Sequence, residues 1–489
     1  MAGSIIKRLP FTPLLCTALG AAAGFYFLFH TTLAVIIAVL SVFLVILCFF
    51  RVLASLNTQS RILHLTAVCS AAFAVGLFFG ISAANSGRNE VNFGIPANNV
   101  TAVEGLLLED PRIISGGRAM VTLSLRRSAG AGGLRVTSSG EITVFLPQIN
   151  AERLIQFGRG AVIFAEGSLR SSERGWTFSA DSLHIIKPAP VIEQKRTSLR
   201  LSLIRRFDGE SWGGLALALL LGIRDNLDSS LTEMYREAGL SYILALSGMH
   251  LAILTALIAF LLKKLLGLKV SAITGAVIII LYCLLVGPMP SLNRAALMYV
   301  LGTFAILYDL PKKAMSILSL SFLIQIIFTP AAGNSLSFIL SYLAMLGILI
   351  TGKALSSLFA GWIPDFILQP FSISVGAFLA TAGICSFTFK IIAPVGIIAS
   401  LVIVPLTTVF MIGSILWLVL DLLSLSFLLS LPLSLFYHLM EIIVVFAGRI
   451  PGITANPILI LVLSLILSFG IIILEYKRQR VLLKLEPLL

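Results

Sequence analysis

Charge is scarce in this sequence: Asp, Glu, Lys and Arg make up 12% of it, against about 25% in a soluble globular domain. Histidine is sparse too, with five residues that stand isolated from one another. That spacing gives no metal-ligand motif and calls for no cofactor. Cys16, Cys48, Cys69, Cys283 and Cys385 all lie in apolar runs, and none falls in the polar insert described below. A disulfide scaffold is therefore excluded, and the thiols read as small packing residues. Low charge with high apolar content likewise excludes a disordered chain or an ordinary soluble domain.

Apolar residues are abundant: 58% of 489 positions. A membrane span needs about 20 of them in a row, so the chain has room for ten or more spans. The net charge of +13 suggests a polyanionic partner, but cytoplasmic loops of membrane proteins collect Lys and Arg for insertion reasons alone. Lys7 and Arg8 precede an apolar run over 11–29, and further runs follow at 32–50 and 62–84. The close succession favours three uncleaved helices over a signal peptide. Arg51 and Arg61 flank the second loop, which places it and the N-terminus in the cytoplasm and the end of the third helix outside. Gly20/Gly24 and Gly76/Gly80 are small-xxx-small pairs suited to close helix approach.

Between about 85 and 190 the pattern switches to period two. Val121, Leu123 and Leu125 alternate with Thr122, Ser124 and Arg126, and Ile142, Val144 and Leu146 repeat the rhythm. Strands are expected at about 101–109, 118–127, 141–146, 160–169 and 175–186. Five short strands in about 100 residues suit an OB-like barrel. Such barrels hold single strands by pairing a basic groove with aromatic platforms. The candidates are Arg118, Arg126, Arg127, Arg135, Arg170 and Arg174, with Trp176 and Phe178. The competing reading has both rings filling the barrel and the arginines forming a solvated face.

Residues 191–240 read as interfacial. Leu199, Leu203 and Phe207 interleave with Arg200, Arg205 and Arg206 as a basic amphipathic helix. The apolar stretch 212–223 is too short to cross and is interfacial, re-entrant or buried.

The segment LALALLLGIRDNLDSSLTEMYREAGLSYILALSGMHLAIL resembles the ComEC family of competence proteins. Gly239, Leu240, Ser241, Ala245, Ser247, Gly248 and His250 stand at the family's positions, while Tyr242 replaces a histidine. PMPSLNRAALM is similar in the same way through Pro290, Ser291, Arg294, Ala295 and Met298, as are SLSFILSYLAMLGI and ASLVIVPL, where Ser400 replaces an asparagine. The resemblance implies a channel that imports single-stranded DNA during natural transformation. It also implies a cytoplasmic helicase-like ATPase and outer DNA-binding or pilus competence proteins as partners, and leaves a homo-oligomer open. Many members continue into a metallo-β-lactamase-like domain. This sequence is expected to be a form lacking it, with any nuclease on a separate protein and no nuclease or ATPase motif of its own.

Nine further spans are expected at about 242–262, 270–287, 293–308, 314–328, 335–351, 371–389, 394–420, 425–447 and 457–476, with Pro405 a place where 394–420 could break. The expected fold is thus a polytopic α-helical membrane protein of about 12 spans with an inserted small all-β OB-like domain. Its segments are three N-terminal helices (1–84), an extracytoplasmic β domain (85–190), interfacial helices (191–240), a competence-type bundle (241–476) and a basic cytoplasmic tail (477–489). The inner membrane is the expected location, with both termini cytoplasmic. Ionisable groups at membrane depth cost about 2.5–3.5 kcal/mol on insertion scales, so those present need a partner or water. Arg294, Asn293, Ser291, His250, Ser247, Glu441 and His438 are the candidates for a polar path. Gly347 to Lys353 imitates a phosphate-binding loop, but Ala354 follows where Ser or Thr is required. A secondary transporter for a small or anionic solute, and an intramembrane enzyme using Ser247 with His250, are the rival readings.

Overall fold

The computed structural model describes residues 13–27, 59–86, 91–113, 119–130, 135–146, 158–172, 175–224 and 226–485. The chain divides into two compact units. One comprises Arg88–Leu227 with Leu281–Pro288, the other Met1–Gly87, Asp228–Ile280 and Met289–Leu489.

The first unit is built on β1 (Val100–Leu107), β2 (Arg112–Ile113), β3 (Ala119–Gly130), β4 (Arg135–Thr137), β5 (Glu141–Leu146), β6 (Val162–Ser172) and β7 (Gly175–Lys187). The hydrogen-bonded order β1-β6-β7-β5-β3 closes on itself because β1 also pairs with β3. Every pairing in that ring is antiparallel except β5 with β7. Taken as five long strands in chain order, the ring runs first, fourth, fifth, third, second, which is an OB-like barrel. The period-two residues point inward as expected: Val121, Leu123, Leu125, Ile142, Val144 and Leu146 are all buried, and Phe178 sits fully enclosed among them.

Two helices complete this unit. In α3 (Val191–Phe207) the expected amphipathic face holds at the C-terminal end, where Phe207 is buried and Arg205 and Arg206 are exposed, and departs from expectation one to two turns earlier. Leu199 is exposed, whereas Arg196 and Arg200 turn inward. Arg196 binds Asp110 and Glu193, and Arg200 donates to the carbonyl of Val286 and approaches Asp110 at 3.6 Å. Around Leu199, charge pairing rather than apolar content decides which side chains are covered. The apolar stretch after it forms α4 (Gly213–Leu221), whose residues are nearly all buried, as its shortness suggested.

The second unit is helical. Here α1 (Pro13–Phe27) packs on α2 (Gln59–Ser86) through the paired small residues. A Cβ on Gly76 would lie 1.9 Å from the Thr17 carbonyl oxygen, and one on Gly20 would lie 2.2 Å from that of Phe73. The expected span at 32–50 lies outside the described residues. The polar α5 (Ser229–Glu237) is capped by Asp228, whose carboxylate accepts from the Ser230 N–H at 3.0 Å. A short α6 (Ser241–Leu244) ends where the backbone becomes extended at Ala245. The long α7 (Gly248–Val286) then follows, interrupted at Gly267, where φ is 74°.

Beyond it lie α8 (Pro290–Leu307), α9 (Ala314–Phe328), α10 (Leu336–Phe359), α11 (Asp365–Phe389), α12 (Val395–Asp421), α13 (Phe427–Gly448) and α14 (Pro457–Leu485). Among the described residues six helical segments are long and apolar enough to cross a membrane: Leu266–Val286, Leu336–Phe359, Asp365–Phe389, Val395–Asp421, Phe427–Gly448 and Pro457–Gln479. Leu14–Tyr26, Cys69–Asn85 and Ala314–Phe328 are apolar but shorter. Pro405 does not break its helix, which runs unbroken through Val395–Asp421. A core of Phe25, Tyr26, Phe322, Phe338 and Tyr342 ties α1, α9 and α10 together.

Candidate functional site

In the helical unit, the polar residues of α8 gather beside α10. Arg294, in the second turn of α8, is only 7% exposed. Its Nε donates to Ser341 Oγ at 2.7 Å, and its Nη1 lies 3.3 Å from Met298 Sδ. The guanidinium carbon stands 5.8 Å from the Tyr342 ring centroid, within cation–π reach. Ser291 Oγ reaches the same Ser341 hydroxyl at 3.2 Å. The network continues into α9: the Tyr342 hydroxyl donates to Gln325 Oε1 at 2.7 Å and approaches Ser321 Oγ at 3.2 Å. Asn293 is half-buried on the same helix.

Facing Arg294 is the first turn of α7. A Cβ on Gly248 would come 3.1 Å from Arg294 Nη2. Ser247 precedes that glycine. Its backbone N–H donates to His250 Nδ1 at 3.2 Å, with its hydroxyl at the same distance from that nitrogen. The Met249 N–H donates to Ser247 Oγ at 3.3 Å. His250 is 1% exposed, and its Nε2 is buried with no partner among the described residues.

The structure therefore brings Arg294, Ser291, Ser247 and His250 into one neighbourhood, but encloses Arg294 and His250 among side chains. An open, water-lined corridor at these residues is not what the described conformation presents. His438 and Glu441 lie elsewhere, on α13. They are 3.2 Å apart with side chains 56% and 39% exposed, so they form a pair on the surface of that helix. Ser341, Tyr342, Gln325 and Ser321 were not singled out in the sequence. The first two sit inside a motif segment already marked, and Gln325 is a lone amide in an apolar run, a signal of the kind that flags Arg294.

On the barrel, cross-strand register sets Arg127, Glu104, Phe164 and His184 side by side. Residues directly opposite share a face. Arg135 joins that row, with its guanidinium carbon 4.9 Å from the Phe164 centroid and its Nη1 3.7 Å from Glu104. Arg126 and Arg170 are exposed. Trp176 is half-buried, edge-on to Phe93 at 5.5 Å. Phe178 is fully buried, so it offers no face to a strand and instead fills the barrel. Arg118 and Arg174 lie outside the described residues. Phe164, not among the site candidates read from the sequence, is the aromatic ring on which Arg135 stacks.

A family model described as Competence protein matches residues 219–479. ComE operon protein 3 of Bacillus subtilis (strain 168) is 27% identical over 208 residues, which cover 41% of this chain and 27% of that protein. The match thus spans about a quarter of that relative's length. No solved structure matches the chain.

Proposed function

The chain belongs to the competence protein family, and from that membership we propose that it is the membrane component that passes single-stranded DNA into the cytoplasm during transformation. The OB-like barrel receives the strand on the face formed by Arg127, Arg135 and Phe164, with Arg126, Arg170 and Trp176 as further contacts. The helices carry it onward past Ser247, His250, Ser291, Asn293 and Arg294, with the His438–Glu441 pair a candidate further along. Enclosure of Arg294 and His250 makes the described conformation a closed one, so passage requires the Ser341 and Tyr342 contacts to part.

The observation that carries this reading is the joining of two things in one chain. An OB-like ring presents a cation-flanked aromatic row, and the helices match the competence model. Barrels of this kind bind single strands through phosphate attraction and base stacking. The loop charges favour an inner-membrane protein with cytoplasmic termini and the barrel outside. In that orientation the barrel meets incoming DNA, a cytoplasmic helicase-like ATPase supplies the motor, and outer DNA-binding or pilus proteins deliver the duplex. A nuclease supplies the single strand.

Deleting the gene in its host tests the reading: transformation by every DNA sequence is expected to disappear together. Uptake that persists at the parental level with the gene deleted defeats it.

A further inference from the structure

Two sources of positive potential meet between α7 and α8, with no negative charge among the described residues to balance them. The N-terminus of a helix carries roughly half a unit of positive charge, and the Arg294 guanidinium stands against the first residue of α7. Arg294 is more than nine-tenths buried. Its partners are a hydroxyl, a thioether and a ring, and no carboxylate pairs with it among the described residues. Nη2 makes no hydrogen bond there. A buried cation without a counter-charge is strongly unfavourable, and bringing it to a helix N-terminus adds to that cost. In the first turn of α7, His250 Nδ1 accepts the Ser247 N–H, so in the neutral ring the proton belongs on Nε2. That atom is buried without a partner among the described residues.

We infer that this junction is an oxyanion seat that takes a phosphodiester group of the DNA strand. The inference rests on the proposed function and adds a defined stop on its path. Arg294 Nη2 and the α7 N-terminus supply donors and field. The bond from Nε to Ser341 and the Tyr342 ring hold the planar fork in place, so little entropy is lost when it engages phosphate oxygens. Gly248 is part of the seat because a side chain there would crowd Nη2.

The test uses the full chain in phosphate-free maltoside micelles, with a labelled oligothymidylate of phosphodiester backbone and the same oligomer with a neutral methylphosphonate backbone. Arg294→Ala and Gly248→Ala are each expected to weaken phosphodiester binding roughly ten- to hundredfold, the range for losing one charge-assisted contact. Binding of the neutral oligomer is expected to stay unchanged. Gly248→Ala guards against misfolding, since alanine is the better helix former and its melting temperature should not fall. Parental phosphodiester affinity in Gly248→Ala, or equal losses for both probes, overturns the seat. If the parental chain binds the oligomer and supports transformation, the DNA reading survives that failure. A parental chain that binds no oligomer, yet retains phosphatidylglycerol in an Arg294-dependent manner, assigns the seat to a lipid headgroup and overturns its assignment to DNA. A parental chain that retains neither removes both proposals.

Discussion

Neutralising one buried acid on the barrel should strengthen DNA binding, and removing its basic neighbour should weaken it, by amounts that salt dependence can read. Glu104 lies between Arg127 and Phe164 in the cross-strand row and holds Arg135 at 3.7 Å. A single-stranded nucleic acid releases counterions such that log K falls by about 0.7 per log unit of salt for each phosphate neutralised. Arg127→Ala deletes one cation, so its slope should be shallower by about 0.7. Between about 50 and 200 mM salt that amounts to roughly a 2.6-fold smaller loss of affinity. Glu104→Gln frees Arg135 from its carboxylate and removes a charge that repels phosphate, so its slope should steepen by up to about 0.7. Phe164→Ala should cost about 1–3 kcal/mol of stacking at every salt concentration, because stacking releases no ions. Fluorescence anisotropy of a labelled oligothymidylate against the full chain in micelles measures all three. Slopes for Glu104→Gln and Arg127→Ala that move together, or not at all, would refute the assignment of this face.

Three further outcomes test the architecture. Phe178→Ala removes a fully enclosed ring and should destabilise the barrel by about 3–5 kcal/mol, read as protease sensitivity of residues 91–187, while Trp176→Ala, half-buried, costs less. Gly376→Ala would place a Cβ 2.8 Å from the Gly347 carbonyl oxygen and 2.9 Å from Gly352 Cα. A loss of about 1–3 kcal/mol is expected, and adding Gly347→Ala should cost less than the sum because both changes strain one crossing. Asp228 is held below its ordinary value of 3.8 first by the Ser230 backbone N–H and then by the Ser230 hydroxyl. A depressed carboxyl stabilises the fold above its unfolded value and loses that contribution as pH falls through the lower folded value. Protection factors of the α5 amides, taken against their intrinsic exchange at each pH, should therefore fall below about pH 3.8 in the parental chain. Asp228→Asn, which keeps the cap but cannot titrate, should lack that step.

How far the sequence disclosed this molecule depends on the range of the interactions involved. Barrel strands were legible because alternation is a local signal: the segment expected at 118–127 is Ala119–Gly130, and that expected at 141–146 is Glu141–Leu146. Arg112–Ile113 and Arg135–Thr137 were not, being two and three residues long, too short for any period to show. Hydropathy located apolar runs but not their breaks, so the helix expected from 242 begins at Gly248, after an extended Ala245. The inward face of α3 depends on Asp110 and on carbonyls at the end of α7, partners distant in sequence that no helical pattern reveals. At the candidate site, cost flagged Arg294 and His250, since a buried charge stands out in an apolar string. Ser341 and Tyr342 carry no such signal, because hydroxyls are common in helices that satisfy them locally.

The imitation phosphate loop at Gly347 to Lys353 is explained by the same distinction between spacing and geometry. A phosphate cradle needs several free backbone N–H groups in a loop. Here the segment is one wide turn, Ile348–Gly352, within a continuous helix, and the Lys353 N–H is taken up by the carbonyls of Ile348 and Ile350. The wide turn has a cause. Residues five apart on a regular α-helix lie about 140° from one another around the axis, so Gly347 and Gly352 could not both face α11. Inserting a π turn rotates them toward a common side. Gly376 then meets both, with its Cβ position 2.8 Å from Gly347 O and 2.8 Å from Gly352 N. Three glycines at one point let two backbones touch, which is the packing that drives helix association where lipid removes the hydrophobic driving force. The glycine spacing that resembles a nucleotide motif is thus the spacing that a π turn requires to close α10 onto α11.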